Sequence, residues 1–596
     1  MTSLKDIFAS FPEVKKILAD CRDQKKVSVF GMQLFSRAMI AALAGEALVV
    51  CPDYFTASKF ADQLSGIAVG VTLLKEREEV LLARGATSAS ARERFTALGD
   101  ICTGKARVIV TTAQALMQIY PARAEFERHI MTVRTGDTPD PLKLGEELVK
   151  NGYRREDQLN DACRFARRGD ILDVYPVNAS CPYRIEFFGD EVEKITEIDP
   201  DTQLSVRQVQ SVEIYPFTDV FGEAPDIVKI KSGICKNLDS DCRVRAEELA
   251  DMVSRGEAGS GALLAYAQHD SLLGFCGDRV FIADECKRVY DSMEVYFTEH
   301  KQRFESLYAK GETLSDFFGQ VLEPRAAAEN IRAAVTFHSV TSSNRFFDPD
   351  ELYVFRSMAA PRYVGNHDQL ASDVENWRER GYETAICCGS AALKERVADL
   401  FAQHNVGWSD NYTAGVTVTA EKTGWGEIIH DLKLAVIGEN DLVGKRNQPV
   451  RRRRRGSFIG EPKTGEYVVH DVHGIGVCEG VKKVDVGGAV RDYVVVGYAG
   501  GAKLYVPVES MDRLSRYVSG ETPRLSKMGG AEFAKQKLKA RESIKKLAFD
   551  LKELYAQRFK ADAYRYSEDD SLLREFENTF EFTETEDQLK AEEECL

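Results

Sequence analysis

At 596 residues the chain is too long for a single hydrophobic core, and its length implies roughly three to five domains. With 44% hydrophobic and 29% charged residues it reads as ordinary globular protein, which excludes a disordered or fibrous chain. A balance of 79 Lys and Arg against 94 Asp and Glu, net −15, excludes a chain built throughout to coat nucleic acid, although a basic surface could be local. The most apolar stretch, Met39 to Cys51, is interrupted by Gly45 and Glu46 and falls short of the ~18 residues of a membrane span. The first residues, MTSLKDIFASF, lack the basic-then-apolar layout of a signal peptide. Thirteen cysteines are scattered without a C-x-x-C pair, only Cys387 and Cys388 being adjacent, which points to reduced thiols in a cytoplasmic protein.

In chain order, Leu4, Ile7, Phe8, Phe11 and Val14 have helical spacing. Short β-branched runs follow at Val27–Phe30, Ala47–Cys51 and Val108–Thr112, separated by helical stretches such as Ala57–Leu64 and Ala91–Leu98. Strands alternating with helices imply a parallel sheet. Between Arg168 and Ile195 the pattern becomes strand, turn, strand, as ILDVYP and then YRIEFFGDEVEKI, which predicts an antiparallel module with one face buried. A second α/β stretch is expected from Ser339 to Asn440, with strands near Thr384–Cys388 and Leu434–Ile437. The five arginines Arg451–Arg455 follow, read either as a solvated linker or as a contact to DNA phosphates. Short strands with Gly-rich turns from Gly465 to Val508 predict a small SH3-like or Tudor-like barrel. Beyond it, Ala531–Phe559 reads as one amphipathic helix with Ile544, Leu547, Leu551 and Leu554 on one face, before the acidic FTETEDQLKAEEECL.

A phosphate-binding loop needs glycine for close backbone approach, lysine for the phosphates and a hydroxyl residue for magnesium, between a strand and a helix. Gly99–Ala106, GDICTGKA, has the spacing but places Ala106 where the hydroxyl belongs and follows a helix instead of opening one. The stretch SVFGMQLFSRAM has the right context, with a strand into Gly31 and a helix from about Ser36. Laid on the motif, however, Ser36 replaces the second glycine, Arg37 the lysine and Ala38 the hydroxyl residue. In VFIADEC, Asp284 and Glu285 end an apolar strand, like the acidic pair of a nucleotide site; an acidic strand end or helix cap reads equally well. His470 and His473 lie in strand-turn sequence with no cysteine or carboxylate cluster beside them, so a barrel turn is favoured over a metal site. There is no G-x-S-x-G nucleophile elbow. The expectation is no catalytic residue, no metal, no cofactor and no nucleotide hydrolysis by this chain.

The segment RRGDILDVYPVNASCPYRIEFFGDEVEKI resembles the second domain of bacterial transcription-repair coupling factors and of the excision-repair protein UvrB, which binds the repair protein UvrA. The segment VVHDVHGIGVCEGV, continued by YVVVGYAGGAKLYVPVESMDRLSRY, resembles the RNA-polymerase-interacting domain of the coupling factor, shared with CarD-type regulators. Both in this order are similar to the coupling factor family over essentially the whole chain. The resemblance implies UvrA binding at Arg168, Arg184 and Phe188, although Phe188 could instead lie in the core and the arginines could pair with Asp173 or Glu186. It also implies that the barrel adds an edge strand to the polymerase β subunit, with Asp492–Tyr498 the candidate and Tyr493, Val494, Val495 and Val496 its contact residues. The expected class is multidomain α/β and α+β: a helicase-like domain with a degenerate nucleotide loop over 1–125, the UvrA-binding module over 126–217, and a further helicase-like part over 218–335. An α/β domain over 336–445, a basic linker over 446–460, the barrel over 461–520 and a connector helix over 530–560 follow. Residues 561–596 would begin a motor that the chain does not contain, so ATP, magnesium and most DNA contact are expected with that motor. The implied function is a non-catalytic, cytoplasmic repair adaptor. A UvrB-like DNA-binding ATPase or a CarD-type regulator are the alternatives.

Overall fold

A computed structural model describes residues 3–443 except 78–79, 83–87, 157–158, 160, 200–203, 222–226, 233, 235–237, 257–258, 330, 340–343, 365 and 413–414. It further describes 464–507 except 471–472 and 487–488, then 514–516 and 524–526. The Arg451–Arg455 run, the expected helix Ala531–Phe559 and the acidic tail lie outside the described residues. The chain separates into two compact units, the first formed mainly by Met1–Arg455 and the second carrying the predicted barrel.

The first unit is organised on a seven-stranded sheet in which every neighbouring pair is parallel. Its spatial order is Glu351–Val354, Lys26–Phe30, Ala334–His338, Val280–Ala283, Ala47–Cys51, Val108–Thr112 and Val71–Leu74. The inner strands Ala47–Cys51, Val108–Thr112 and Ala334–His338 are buried along their whole length, which is why they read as continuous apolar runs instead of alternating ones. This corrects two expected boundaries. Val280–Ala283 and Ala334–His338 fill the middle of the same sheet as the first strands, so 218–335 is not a separate body. A boundary at 336 would cut the strand Ala334–His338, and the next strand, Glu351–Val354, also belongs to this sheet.

The predicted antiparallel module is a six-stranded sheet, ordered Ser205–Val209, Glu191–Ile198, Tyr183–Phe188, Ile171–Tyr175, Arg164–Arg168 and Arg154–Arg155. Only its last pair, Arg154–Arg155 with Arg164–Arg168, is parallel. Leu172, Ile185 and Ile195 stand opposite one another on one face and join the largest core cluster of the unit. A two-stranded ladder, Met131–Arg134 with Ser211–Ile214, closes the base of the module.

The second α/β module has five strands, in the order Ser357–Ala359, Glu427–Ile429, Leu434–Ile437, Glu383–Cys387 and Val416–Thr419. Helices His367–Glu379 and Ala391–Gln403 flank it, and the buried face of the latter presents Leu393, Val397 and Phe401 to a core of its own. The second unit contains a five-stranded antiparallel sheet, ordered Lys503–Pro507, Ala489–Gly497, Gly474–Val486, Tyr467–His470 and Leu514–Arg516. Val468, Cys478, Val494, Val496, Tyr498, Val506 and Leu514 form its core.

Asp441 holds the turns of the second α/β module together, its Oδ2 accepting from the amides of Gly426 at 2.7 Å and Gly438 at 2.9 Å. Burial pushes this carboxyl up to about 6 from 3.8, against the opposing pull of the two amides. The folded chain therefore holds a proton that the unfolded chain has released, and this contribution is full below the unfolded value and lost as pH rises through about 6. Urea midpoints measured from pH 4 to pH 7 should show wild type losing up to about 3 kcal/mol relative to Asp441→Asn, whose amide oxygen still accepts but cannot ionise. A constant difference over that range would refute the assignment.

Candidate functional site

The strand Lys26–Phe30 runs into Gly31, and the helix Leu34–Ala44 begins three residues later, two residues before its expected start at Ser36. This is the layout of a phosphate loop. Gly31 has φ +81°, and a Cβ there would stand 2.0 Å from the carbonyl oxygen of Phe355, so the position admits only glycine. Ser36, Arg37 and Ala38 are all buried in the first turns of the helix.

Arg37 brings the two halves of the degenerate site together. Its guanidinium lies 2.5 Å from Asp284 Oδ1 and 2.7 Å from Glu285 Oε1, and donates to the Met32 carbonyl at 2.8 Å and to Ser339 Oγ at 2.9 Å. Ser339 in turn donates its amide to Glu285 Oε2 at 3.2 Å, and its hydroxyl bonds Glu285 Oε1. The guanidinium carbon also lies 5.7 Å from the centre of the Phe337 ring. Burial raises the Asp284 carboxyl, and Arg37 only partly offsets that. Burial acts on Glu285 in the same direction, but Arg37 and Ser339 outweigh it and hold that group below its ordinary range.

The acidic pair is committed within the chain. Glu285 stands at the N-cap of the helix Cys286–Ala309 with φ +57°, yet its side chain makes no capping bond. Both carboxylates face Arg37, where a magnesium-nucleotide site would need them free for metal. The chance motif at Gly99–Ala106 is placed as expected, since Gly99 lies inside the helix Ser88–Cys102 and Val108–Thr112 follows as a strand. His473 donates its amide to His470 Nδ1 at 3.3 Å, and among the described residues no group of three or more His, Cys, Asp or Glu could hold a metal ion.

In the antiparallel module, Arg168 and Arg184 share the face opposite the core. The cross-strand row Ala166, Asp173, Arg184 lies next to the row Arg168, Ile171, Glu186. Arg184 is not a free donor: it makes a bidentate pair with Asp173 at 2.8 and 2.9 Å, and Asp173 is buried. Arg168 is exposed at the hairpin that turns through Gly169. Phe188, at the neighbouring turn through Gly189, is 79% exposed, which excludes a core role. Leu204 and Val206, exposed just before the outer strand of the sheet and on it, lie at the other end of the sheet from Phe188 and had no signal in the sequence beyond ordinary alternation.

The five-stranded sheet of the second unit corrects the expected edge strand. Ala489–Gly497 is an inner strand, flanked by Lys503–Pro507 and Gly474–Val486, so it has no open edge to offer. Tyr493, Val494, Val495 and Val496 are all buried, Val494 and Val496 within the core of the sheet. Among the described residues the outer strands are Lys503–Pro507 and Leu514–Arg516. On the former, Lys503 and Tyr505 are exposed while Val506 is buried.

Comparison with known proteins matches two domains. The UvrB interaction domain matches residues 131–219, and the CarD-like/TRCF RID domain matches residues 463–518. The chain is 26% identical over 592 residues to the transcription-repair-coupling factor of Bacillus subtilis (strain 168), covering 92% of this chain and 50% of that protein. It is likewise 26% identical to those of Staphylococcus aureus (strain USA300) and Staphylococcus haemolyticus (strain JCSC1435), covering 84% of this chain and 45% of each. The chain thus spans about half the length of the curated relatives it matches, and similarity to transcription-repair-coupling factors extends over most of it. No helix among the described residues is long and apolar enough to cross a membrane.

Removing Arg37 leaves the buried Asp284 and the partly buried Glu285 beside each other without a cation. Arg37→Ala should destabilise the first unit by about 3–5 kcal/mol, and adding Asp284→Asn should recover part of it. The check is a urea midpoint for each variant; an Arg37→Ala midpoint equal to wild type would contradict the geometry.

Proposed function

We propose that this chain is an adaptor of transcription-coupled DNA repair, corresponding to the front part of a coupling factor. The module at 131–219 would recruit the repair protein UvrA, and the module at 463–518 would dock on the β subunit of RNA polymerase. The observation that carries this reading is the presence of both domain matches in one chain and in this order. A cytoplasmic location follows from these partners.

The chain would do this without hydrolysing nucleotide. Arg37 takes up the acidic pair that would hold magnesium, which argues against a UvrB-like ATPase. ATP, magnesium and the displacement of polymerase would belong to a motor outside these residues, as would most DNA contact.

Within the recruiting module we assign the contact to Phe188 and Arg168, at adjacent hairpin ends, with Arg184 beside them. Arg184 is already committed to Asp173, so it would act partly by shaping the surface. Polymerase docking by strand addition fits an outer strand, and Lys503–Pro507 offers exposed Lys503 and Tyr505 along it.

A pull-down of UvrA with the 596-residue chain tests the recruiting site. Phe188→Ala and Arg168→Glu should each weaken binding about tenfold or more without shifting the melting temperature, because both side chains lie outside the core. Arg184→Glu sets two carboxylates against each other, so Arg184→Ala combined with Asp173→Asn is the fair variant at that position. Wild-type binding by both Phe188→Ala and Arg168→Glu would overturn the assignment.

A further inference from the structure

The helix Leu34–Ala44 opens without help from its own N-cap, since Gln33 makes no side-chain capping bond. Its first amides point instead at a carboxyl from the second α/β module, far along the chain. Glu427 Oε1 accepts from the Gln33 amide at 3.0 Å, and Glu427 Oε2 accepts from the Ser36 amide at 2.8 Å. Ser357 Oγ lies 2.5 Å from Glu427 Oε1 and 2.8 Å from the carbonyl oxygen of Gly31, the glycine of the loop. Glu427 itself is completely buried.

Amides at a helix N-terminus behind a strand-glycine turn are what a nucleotide loop offers to phosphate. Here those groups are met by two carboxyl oxygens of the protein. The surroundings fix that carboxyl in place. Gly426, just before it, gives its amide to Asp441, and a Cβ on Gly426 would stand 2.1 Å from the Val436 carbonyl oxygen. On the neighbouring helix Tyr54–Ser65, the buried Gln63 pairs with the backbone of Trp425 through both its amide nitrogen and oxygen, at 2.9 and 2.8 Å. Phe355 gives its amide to the Phe30 carbonyl at 2.9 Å, so the chain between the two sheets is tied at the same place.

We propose that Glu427 is an intramolecular ligand of the degenerate phosphate loop: it occupies the phosphate position and turns a former binding site into the joint between the two α/β modules. The loop keeps its amides and its glycine because the joint uses them. The ligand class the loop would accept without Glu427 is a phosphate or pyrophosphate anion. Burial raises the Glu427 carboxyl while Ser357 and the two amides oppose the rise, in keeping with a group that trades solvent for fixed donors.

The test is hydrogen exchange, followed by mass spectrometry, at the amides of Gln33 and Ser36 in the 596-residue chain, with inorganic pyrophosphate as the probe. Glu427→Ala should speed exchange there by about tenfold or more. Pyrophosphate should slow it again in the variant and leave wild type unchanged. Exchange unaltered by the substitution, or accelerated exchange that pyrophosphate does not restore, overturns the proposal; so does an equal pyrophosphate effect in wild type. If Glu427→Ala does not fold, Glu427→Gln carries the test, because its amide retains one acceptor of the two. Accelerated exchange at Gln33 or Ser36 in that variant supports the joint, and unaltered exchange at both overturns it.

Discussion

A strand, glycine turn and helix laid out like a phosphate loop beside an acidic pair set two demands of opposite sign: amides that want an anion and carboxylates that want a cation. Neither can be left buried and empty, because each unsatisfied group costs kilocalories. In this chain both are met from within. Arg37 stands between Asp284 and Glu285, and Glu427 stands over the amides of Gln33 and Ser36. Those contacts join the start of the first sheet, its central strand Val280–Ala283 and the second α/β module, so the packing of the first unit depends on them.

The consequence for function is a division of labour. The interior of the first unit is closed by its own side chains. The surface proposed for partners lies at hairpin ends and an outer strand, where Phe188 and Tyr505 are exposed. Phe188 shows the contrast well. Its neighbour Phe187 is buried in the core, yet one residue later the chain turns through Gly189 and leaves an equally large ring in water.

Much of the fold was legible because its signals are local. The runs Ala47–Cys51 and Val108–Thr112 are strands with the predicted ends, and the hairpins after Arg164 follow the alternation of ILDVYP and YRIEFFGDEVEKI. What escaped was pairing. Nothing in VFIA or AVTFH announces that these strands enter a sheet begun hundreds of residues earlier, since parallel neighbours share no turn. Glu427 and Ser339 were invisible for the same reason: an acid in WGEIIH and a serine after a strand acquire meaning only from what tertiary structure sets beside them. The misplaced barrel edge is different, because its sequence contained the answer. A strand apolar on both faces, Val494 to Val496, is what an inner strand looks like, whereas an outer strand is usually guarded by charge or proline, as the exposed Lys503 guards its own.

If recruitment and docking both reside in this chain and need no nucleotide, the chain should hold its two partners at once. Sedimentation velocity on the chain mixed with RNA polymerase and UvrA, without nucleotide, tests this most directly. One complex containing all three is the expected result. A chain that sediments with neither partner, or with only one of them at a time, would contradict it.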